Sequence, residues 1–436
     1  MKEESFKLTN SQQELKEKFI NFLNGSERLF LLTGKPGVGK TTMCKIVLAE
    51  LIKLDRENAT SGDSINVAGI TLAHQAKNVL GEFIPNVFTF AKAYGMKEIL
   101  HDDGSRSFGY DKFAEDFPIG ESELPVFVHD EVSQYTEEML KVVLERTSMF
   151  SKIIFIGDKA QLPPIDPEEL MEVDADSPVF ELDIPEECKQ ELTERVRQAE
   201  GNPILDLSDI IREEIFGNKS IGRVSEAIRQ TKMIDGIGFD FISYNELNEE
   251  LKSKDSLSCC VIAFRRTSVH WFNNDIRKAL LDNPKDLVIE GDVICMLDNY
   301  YHKEGDEITY VLENSQVFRL GKVYTKNIMF SDGKKRHKVA SYVANIIGEK
   351  SKQLILPTKE GNMQYQKILK KLSKECNDGT NKWENFWNIK KKFCNCTYGY
   401  SITAYKSQGS TYDTVYVDIN DILLTRPLTP KRKLQT

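Results

Sequence analysis

Residues 28–42 read RLFLLTGKPGVGKTT, and this run sets the architecture of the N-terminal part of the chain. Its first half is apolar, as in a buried strand, and its second half fits the pattern G-x-x-x-x-G-K-[ST] directly before a helical stretch. Glycines in such a loop let backbone N–H groups point at phosphate oxygens. We therefore predict a phosphate-binding loop, the P-loop, in which these residues bind a nucleotide: Gly34, Pro36, Gly37, Val38, Gly39, Lys40, Thr41 and Thr42.

This loop chemistry needs a cation and a metal ion. Lys40 is placed to neutralise the charge of the β- and γ-phosphates, and the Thr41 hydroxyl to hold Mg²⁺. An acidic pair closes a later apolar run, VFVHDE, at residues 126–131. Asp130 would complete the Mg²⁺ shell, and Glu131 would orient and deprotonate the attacking water. The sequence thus predicts hydrolysis of ATP with Mg²⁺.

Further short apolar runs at 66–71, 125–129 and 152–156 alternate with helical stretches. That rhythm predicts an α/β domain around a buried parallel sheet. The last of these runs leads into GDKAQLPP at residues 157–164. A loop at this end of the sheet reaches the γ-phosphate of a bound nucleotide.

The second half of the chain repeats the pattern with an interruption. Apolar runs at 259–264 and 414–417 predict a second α/β domain that is divided by a long insertion. Within the insertion, residues 291–339 alternate apolar and polar side chains between turn signals, which favours a small β-barrel. Residues 362–393 have helical spacing. The insertion is therefore expected to hold a barrel followed by helices.

Two local features carry open alternatives. The polar segment 95–122 contains the turn signal Asp103-Gly104 and predicts a small subdomain inserted in the first domain. In the helical part of the insertion, Trp383, Phe386 and Trp387 fall on one helix face. Packing in a core is favoured over stacking on nucleic-acid bases for these three rings.

Composition limits the location and the redox chemistry. The 436 residues include 40% hydrophobic and 29% charged side chains, and no run of eighteen apolar residues occurs. We expect no membrane association and a cytoplasmic location, in the host cytoplasm if the gene is carried by a phage. The eight cysteines lack zinc-site spacing and are interpreted as reduced and structural. The net charge of −9 decides little, because a motor protein can carry its basic groups in a groove.

The loop at 157–164 follows the apolar run 152–156, which comes after the run that ends in Asp130-Glu131. This loop resembles motif III of superfamily 1 helicases. The resemblance extends over nearly the whole chain and is greatest for the RecD/Dda branch. LTNSQ at 8–12 is similar to the adenine-reading Q motif, LTERVRQ at 192–198 to motif IV, and TAYKSQGS at 403–410 to motif V. KWENFWNIK at 382–390 is similar to a helical stretch of the Dda-like helicases.

The resemblance assigns roles around the nucleotide. It implies that Gln161 senses the γ-phosphate, that Gln12 contacts the adenine base, and that Arg197 is an arginine finger. Gln408 and Gly409 would approach ATP. The site would then lie between two domains of one chain.

It also implies a track for nucleic acid. Thr403 and Lys406 would contact the phosphate backbone of the strand. Motifs Ia and Ib match only in part, since the Pro-Thr pair of the family is Leu72-Ala73 here. The candidate contacts in these motifs are His74, Lys77 and Thr89. A further candidate is Phe108, in a strand-separating hairpin tipped by residues 107–110. For each of these residues, core packing or solvent exposure remains open as the alternative.

The implied architecture is two RecA-like P-loop domains with a pin subdomain in the first and an SH3-like barrel plus helical tower in the second. The predicted bounds are 1–94 and 123–180 for the first motor domain, 95–122 for the pin, 181–290 and 397–436 for the second motor domain, and 291–396 for its insertion.

The implied function is an ATP-dependent DNA helicase or translocase that moves 5′ to 3′ on single-stranded DNA. Expected partners are single-stranded DNA, duplex junctions and a single-strand-binding or replication protein, in replication, repair or recombination. A monomer is the default. After Asp421 no motif VI arginine follows, which predicts that the last part of the second motor domain is missing. A degenerate single-strand-binding protein with little ATP turnover is the alternative. An ATPase acting on proteins is a third reading.

Overall fold

The computed structural model describes residues 8–48, 67–72, 80–81, 84, 86–100, 106–110, 126–164, 175–194, 201–304, 307–408, 410–425 and 428–436. Its helices are Asn10–Asn24, Phe90–Ala93, Glu137–Arg146, Pro203–Phe216, Ile221–Arg229, Tyr244–Ser253, Arg266–Leu280, Lys359–Asn377, Trp383–Lys390, Ala404–Ser407, Ile419–Leu423 and Pro430–Gln435, and residues 40–48 are also helical. None of the helices in these ranges combines the length and the apolarity that are needed to cross a lipid bilayer.

The first part of the chain forms a six-stranded parallel sheet and a hairpin. Its strands are β1 (Leu29–Gly34), β2 (Val67–Thr71), β3 (Asn86–Thr89), β4 (Met96–Leu100), β5 (Arg106–Tyr110), β6 (Val126–His129), β7 (Lys152–Gly157) and β8 (Lys189–Leu192). The sheet order is β3-β2-β6-β7-β1-β8. The predicted α/β fold with a central parallel sheet is confirmed. Every residue of β2 and β6 is buried, because helices cover both faces, and this explains their unbroken apolar runs.

The helix Asn10–Asn24 shows how local sequence fixes this layer. Thr9 caps it, with Gln12 completing a capping box, so the first backbone N–H groups are satisfied. Its buried side chains include Phe19 and Phe22, whose rings lie 5.1 and 5.2 Å from the ring of Phe30 in β1. The helix is thereby packed beside the strand that enters the P-loop.

The segment predicted as a small inserted subdomain contains the antiparallel strand pair β4 and β5, and the structure places Phe108 away from a tip. Phe108 lies within β5, paired with Glu98, and the pair with the smallest separation along the chain is Leu100 with Arg106. Residues 107–110 were predicted to tip a hairpin, and their pairing along β4 makes them part of a strand instead.

The second part holds a three-stranded parallel sheet and a long insertion. Its strands are β9 (Lys232–Ile234), β10 (Ile237–Phe239), β11 (Cys259–Ala263), β12 (Val293–Met296), β13 (Tyr300–Glu304), β14 (Glu307–Leu312), β15 (Val317–Ser331), β16 (Arg336–Ile346), β17 (Glu349–Pro357), β18 (Cys396–Tyr398), β19 (Ser401–Thr403) and β20 (Thr414–Val417). The parallel sheet has the order β19-β11-β20, so the two predicted apolar runs pair with each other.

The insertion has the strands-then-helices order expected from its sequence. Its antiparallel sheet has the order β17-β16-β15-β12-β18, and β13 pairs with β14. One core surrounds Phe318 and Leu320, and a separate core places Phe330 against Tyr365 and Leu369 of the helix Lys359–Asn377. The closed SH3-like form of the sheet and the missing end of the second motor domain stay predictions.

One strand crosses a predicted boundary. β8 pairs in parallel with β1, with Leu31 opposite Lys189, so the first sheet extends beyond residue 180. β8 also carries Leu192, whose carbonyl lies under the P-loop. The segment after β8 therefore leaves the sheet next to the nucleotide loop.

Candidate nucleotide site

The P-loop follows β1 with a backbone that requires glycine. Gly37 and Gly39 have φ angles of 78° and 83°, in the left-handed region that other residues rarely adopt. A Cβ on Gly34 would lie 2.6 Å from the carbonyl oxygen of Leu192. The sequence pattern is thus explained by backbone geometry, and the helical residues 40–48 begin directly after the loop.

Lys40 is folded back onto its own loop. Its Nζ donates to the carbonyl oxygens of Gly34 at 2.6 Å and Lys35 at 3.2 Å. Burial lowers the pKa of Lys40, whereas Asp158, Glu131 and Asp130 raise it. The lysine therefore lies among three acidic groups, which places the predicted P-loop and acidic residues in one site.

The acidic pair stands at the end of β6. Burial raises the pKa of Asp130. Burial, and secondarily Asp130, raises the pKa of Glu131 to about 7. Glu131 has a φ angle of 55°, and its backbone N–H donates to Asp130 Oδ1 at 2.9 Å. A non-glycine residue in this conformation is uncommon and turns the second carboxylate away from the line of the strand.

The residue before this acidic pair, His129 at the end of β6, is a buried polar group. His129 is fully buried between two phenols, with Nε2 3.1 Å from the Tyr94 hydroxyl and Nδ1 3.0 Å from the Tyr135 hydroxyl. Burial lowers the pKa of His129 to about 3. A neutral imidazole offers one donor and one acceptor, so one phenol donates to it and the other accepts from it.

Gln408 joins the two halves of the site. Its Nε2 donates to Glu131 Oε2 at 2.8 Å and to Gln161 Oε1 at 3.1 Å, and its Oε1 accepts from Gln134. Nearby, the Tyr405 hydroxyl donates to the Pro163 carbonyl oxygen at 3.2 Å. Residues that were predicted from three separate motifs are thus in direct contact, and Gln134, which was not predicted, joins them.

The helix Pro203–Phe216 contributes residues that sequence reasoning missed. Arg212 forms an ion pair with the buried Asp158 and lies 3.8 Å from Glu191. Arg212 is also close enough to Lys40 to lower its pKa. On the same helix, Asp209 pairs with Lys35 of the P-loop at 3.1 Å. The helix also carries Asp206, Glu213 and Glu214, so its charge pattern alone did not single out Asp209 and Arg212.

Asp158 has a second feature of a ligand site. Its Oδ1 accepts from the Ala160 backbone at 2.9 Å, but its Oδ2 is buried without a hydrogen-bond partner in the described part of the chain. Buried carboxylate oxygens are normally satisfied. An orphaned acceptor at this position fits a site that is completed by a bound group.

Gln12, the predicted adenine contact, is bonded within the scaffold, and its contact with adenine stays a prediction. Gln12 is 3% exposed, its Nε2 donates to the Val38 carbonyl oxygen at 3.0 Å, and its Oε1 accepts from the Thr9 backbone at 3.1 Å. Beside it, Ser11 Oγ donates to Glu194 of the predicted motif IV at 3.1 Å. Gln12 therefore ties the first helix to the P-loop.

The predicted nucleic-acid contacts are dispersed. The Thr89 side chain caps the helix Phe90–Ala93 by accepting from the Lys92 backbone. Thr403 ends β19 opposite Ala263, and Lys406 is half-buried on the following helix. Outside the described residues lie His74, Lys77, Arg197 and Gly409, and the Phe108 side chain. The track for nucleic acid therefore stays a prediction.

Comparison with known proteins identifies the family. The model for the AAA domain matches residues 7–239, which include the P-loop, the acidic pair and Arg212. The chain belongs to the AAA domain family. The matched region contains the predicted P-loop and acidic residues, and the structure places Gln134, Asp158, Asp209 and Arg212 near them. The roles of these residues toward a nucleotide stay predictions.

Relatives extend the match over nearly the whole chain. The ATP-dependent DNA helicase dda of Enterobacteria phage T4 is 24% identical, covering 94% of this chain and 92% of that protein. Pif1 helicases are also similar. A structure of two coordinating Pif1 helicases on forked double-stranded DNA has 18% identity and a TM-score of 0.49. A structure of Bacteroides Pif1 with ADP-AlF3 and single-stranded DNA has 16% identity and a TM-score of 0.47. Each of the two alignments covers 94% of this chain and 86% of the other chain. The predicted resemblance to Dda-like superfamily 1 helicases is confirmed.

Proposed function

We propose that this protein is an ATP-dependent DNA helicase that moves along single-stranded DNA. The observation that carries the proposal is Gln408, which bonds to both Glu131 and Gln161. The segment containing Gln408 is the one that the resemblance assigns to strand contacts. A shift of that segment on DNA would directly move the donor that holds the proposed hydrolytic carboxylate.

The residues present fit ATP with Mg²⁺. The P-loop backbone and Lys40 would hold the phosphates, and Lys40 would exchange its bonds to Gly34 and Lys35 for phosphate oxygens. The Thr41 hydroxyl and the Asp130 carboxylate are hard oxygen ligands of the kind Mg²⁺ prefers. The metal would neutralise phosphate charge. Glu131 would align the attacking water, with Gln408 fixing its carboxylate.

Arg212 is proposed as a cation for the transferring phosphoryl group. Its ion pair with Asp158 and its electrostatic effect on Lys40 support this role. Positioned arginines of this kind contribute on the order of 10³-fold or more to phosphoryl transfer.

The finer parts of the function rest on the resemblance. These are movement from 5′ to 3′, single-stranded DNA and duplex junctions as substrates, action as a monomer, and a cytoplasmic location. Unwinding of duplexes with a 5′ or a 3′ tail tests the direction. Faster unwinding from a 3′ tail would reverse the assignment.

The proposal is tested by ATP hydrolysis with and without single-stranded DNA. Wild type, Lys40→Ala and Lys45→Ala form a matched set, because Lys45 is an exposed lysine on the same helical stretch. We expect DNA to stimulate wild type and Lys45→Ala many-fold and Lys40→Ala not at all. If wild type binds DNA yet turns over ATP as slowly as Lys40→Ala, the degenerate binding protein replaces the helicase.

A further inference from the structure

The insertion after β14 is strongly basic in an acidic chain. Residues 317–392, called the arm below, contain 18 Lys and Arg and six Asp and Glu, a formal charge of +12. The whole chain carries −9, so the other residues together carry −21. A concentration of positive charge on one part of an acidic protein is the electrostatic footprint of a nucleic-acid surface.

The arm is long and well packed. Its ribbon, β15 paired with β16, has 15 residues in β15, which corresponds to a length of about 45 Å. Phe318 anchors its base in the core of the insertion sheet. Phe330 and Val339 pack its distal half against the helix Lys359–Asn377. The ribbon turn is therefore held tens of ångströms from the base by a core of its own.

The ribbon turn has a fixed shape. Asp332 accepts from the backbone N–H groups of Lys334 at 2.8 Å and Lys335 at 2.6 Å, and lies 2.7 Å from His337 Nε2. Although burial raises the pKa of Asp332, these bonds hold it at about 2. Asn385 ties the turn to the helices by donating to the Asp332 carbonyl oxygen at 2.7 Å.

The cations at this distal end outnumber their partners. Glu375 is shared by Lys334 at 3.0 Å and Lys371 at 3.5 Å. Five other exposed cations of the ribbon turn and the adjoining helix end form no ion pair within the described part of the chain: Lys335, Arg336, Lys338, Lys374 and Lys382. Like charges that are held together without counter-charges favour an anionic partner.

The aromatic residues beside the distal end favour a duplex over a single strand. Trp383, Phe386 and Trp387 are half-buried and pack edge to face on one another, with ring centroids 5.3 and 5.0 Å apart, and Lys390 lies 4.3 Å over Trp387. Single-strand sites use exposed rings on which bases stack. Because these rings partly cover one another, the exposed Lys and Arg side chains around them offer the larger contact surface, and they would bind phosphates.

We propose that the distal end of the arm is a second nucleic-acid surface, which binds the phosphate backbone of double-stranded DNA. The assignment rests on the proposed function only in taking DNA as the partner, and it does not involve the ATP site. The distal end stands about 40 Å from the base of the ribbon, a span of roughly one helical turn of duplex.

The test uses the full chain without nucleotide and a blunt, fluorescent duplex of about 30 base pairs. Lys335→Gln, Arg336→Gln and Lys338→Gln are combined in one variant. Its control combines Lys141→Gln, Lys219→Gln and Lys278→Gln, which are exposed and remove the same charge outside the arm. Fluorescence anisotropy gives the Kd for the duplex over a salt series and the Kd for a fluorescent single strand of the same length. Thermal unfolding checks the fold, and single-strand-stimulated ATP hydrolysis is measured in parallel.

We expect the arm variant to bind the duplex at least about tenfold more weakly, with a salt slope reduced by roughly 3, while the control binds like wild type. Stimulation of ATP hydrolysis by single strands should be retained in both. Equal duplex affinity of variant, control and wild type overturns the proposal. An equal loss of duplex and single-strand affinity also overturns it, since the surface would then belong to the single-strand track. Absence of ATP hydrolysis in all three proteins tells against the motor and leaves the duplex result intact.

Discussion

The Gln408 amide donates a 2.8 Å hydrogen bond to the Glu131 carboxylate from 277 positions further along the chain. The same nitrogen donates to Gln161, so one side chain holds two residues of the nucleotide site. Burial and the neighbouring Asp130 raise the pKa of Glu131, and the bond from Gln408 opposes that rise. Gln408 therefore favours the charged carboxylate that water activation requires.

Gln408→Ala should uncouple ATP hydrolysis from DNA. A hydrogen bond to a charged group contributes about 1.5–3 kcal/mol, so its loss should lower DNA-stimulated kcat by roughly 10- to 100-fold. The KM for ATP should change little, because the P-loop is untouched. Steady-state kinetics with saturating single-stranded DNA measures both constants.

The control is Thr411→Ala, at an exposed position near the same segment. It should keep wild-type stimulation. An unchanged kcat in Gln408→Ala would mean that the contact disappears when ATP and DNA bind, and the coupling role would be withdrawn.

Arg212→Ala should slow ATP turnover and leave the buried Asp158 carboxylate without its counter-charge. Asp158 is 1% exposed and would lose its cationic partner. We expect kcat for ATP hydrolysis to fall by at least about tenfold. A double-mutant cycle with Asp158→Ala separates the pair from the catalytic effect, because loss of the ion pair alone would make the double variant as active as Asp158→Ala.

Arg229→Ala, an exposed arginine at the end of the next helix, is the matched control. Arg212→Lys retains the charge without the planar fork and should recover only part of the activity. Full activity of Arg212→Ala would assign the residue to structure alone.

His129→Phe should destabilise the first domain without changing its charge at neutral pH. The phenylalanine ring fills a similar volume but removes the imidazole from both phenols. The Tyr135 hydroxyl loses its buried contact, while the Tyr94 hydroxyl keeps its 3.4 Å contact with Thr147 Oγ1. An unsatisfied buried hydroxyl costs about 1–3 kcal/mol. Thermal unfolding should show a lower Tm, and adding Tyr94→Phe and Tyr135→Phe should raise it again. No recovery in the triple variant would show that ring packing dominates.

The sequence predicted best what is local along the chain. The P-loop and the Asp130-Glu131 pair each lie in a short segment whose strand and loop are visible in the sequence. Apolar runs located the parallel strands, because strands buried on both faces have few polar residues. These elements needed no knowledge of distant contacts.

What it missed depends on long-range packing. Arg212 reaches Asp158 across 54 positions, and Gln134 meets Gln408 across 274. Gln12 matched a base-reading motif. Its bond to the Thr9 backbone belongs to a local capping box, whereas its bond to the Val38 carbonyl oxygen spans 26 positions and was not predicted. For Phe108 a hairpin tip and core packing were both left open, and cross-strand pairing places it inside β5. The long-range partners follow from tertiary structure and not from spacing.

A buried ion pair at the junction of the second sheet and the insertion gives a final test. Arg277 donates through Nε at 2.6 Å and Nη2 at 2.9 Å to Asp292, which also accepts from the Ile289 backbone at 2.7 Å. Asp292 is fully buried and the Arg277 side chain is 8% exposed. Removing one partner leaves an uncompensated charge, which costs about 3–5 kcal/mol.

Arg277→Met should therefore speed amide exchange in the helix Arg266–Leu280 by roughly 100-fold or more, measured by hydrogen exchange and mass spectrometry. Lys278→Met changes the exposed neighbour and should leave exchange as in wild type. Adding Asp292→Asn should slow exchange again, because asparagine is neutral and still accepts from Ile289. If Arg277→Met exchanges like Lys278→Met, the pair does not hold this junction, and the insertion is anchored by its apolar core alone.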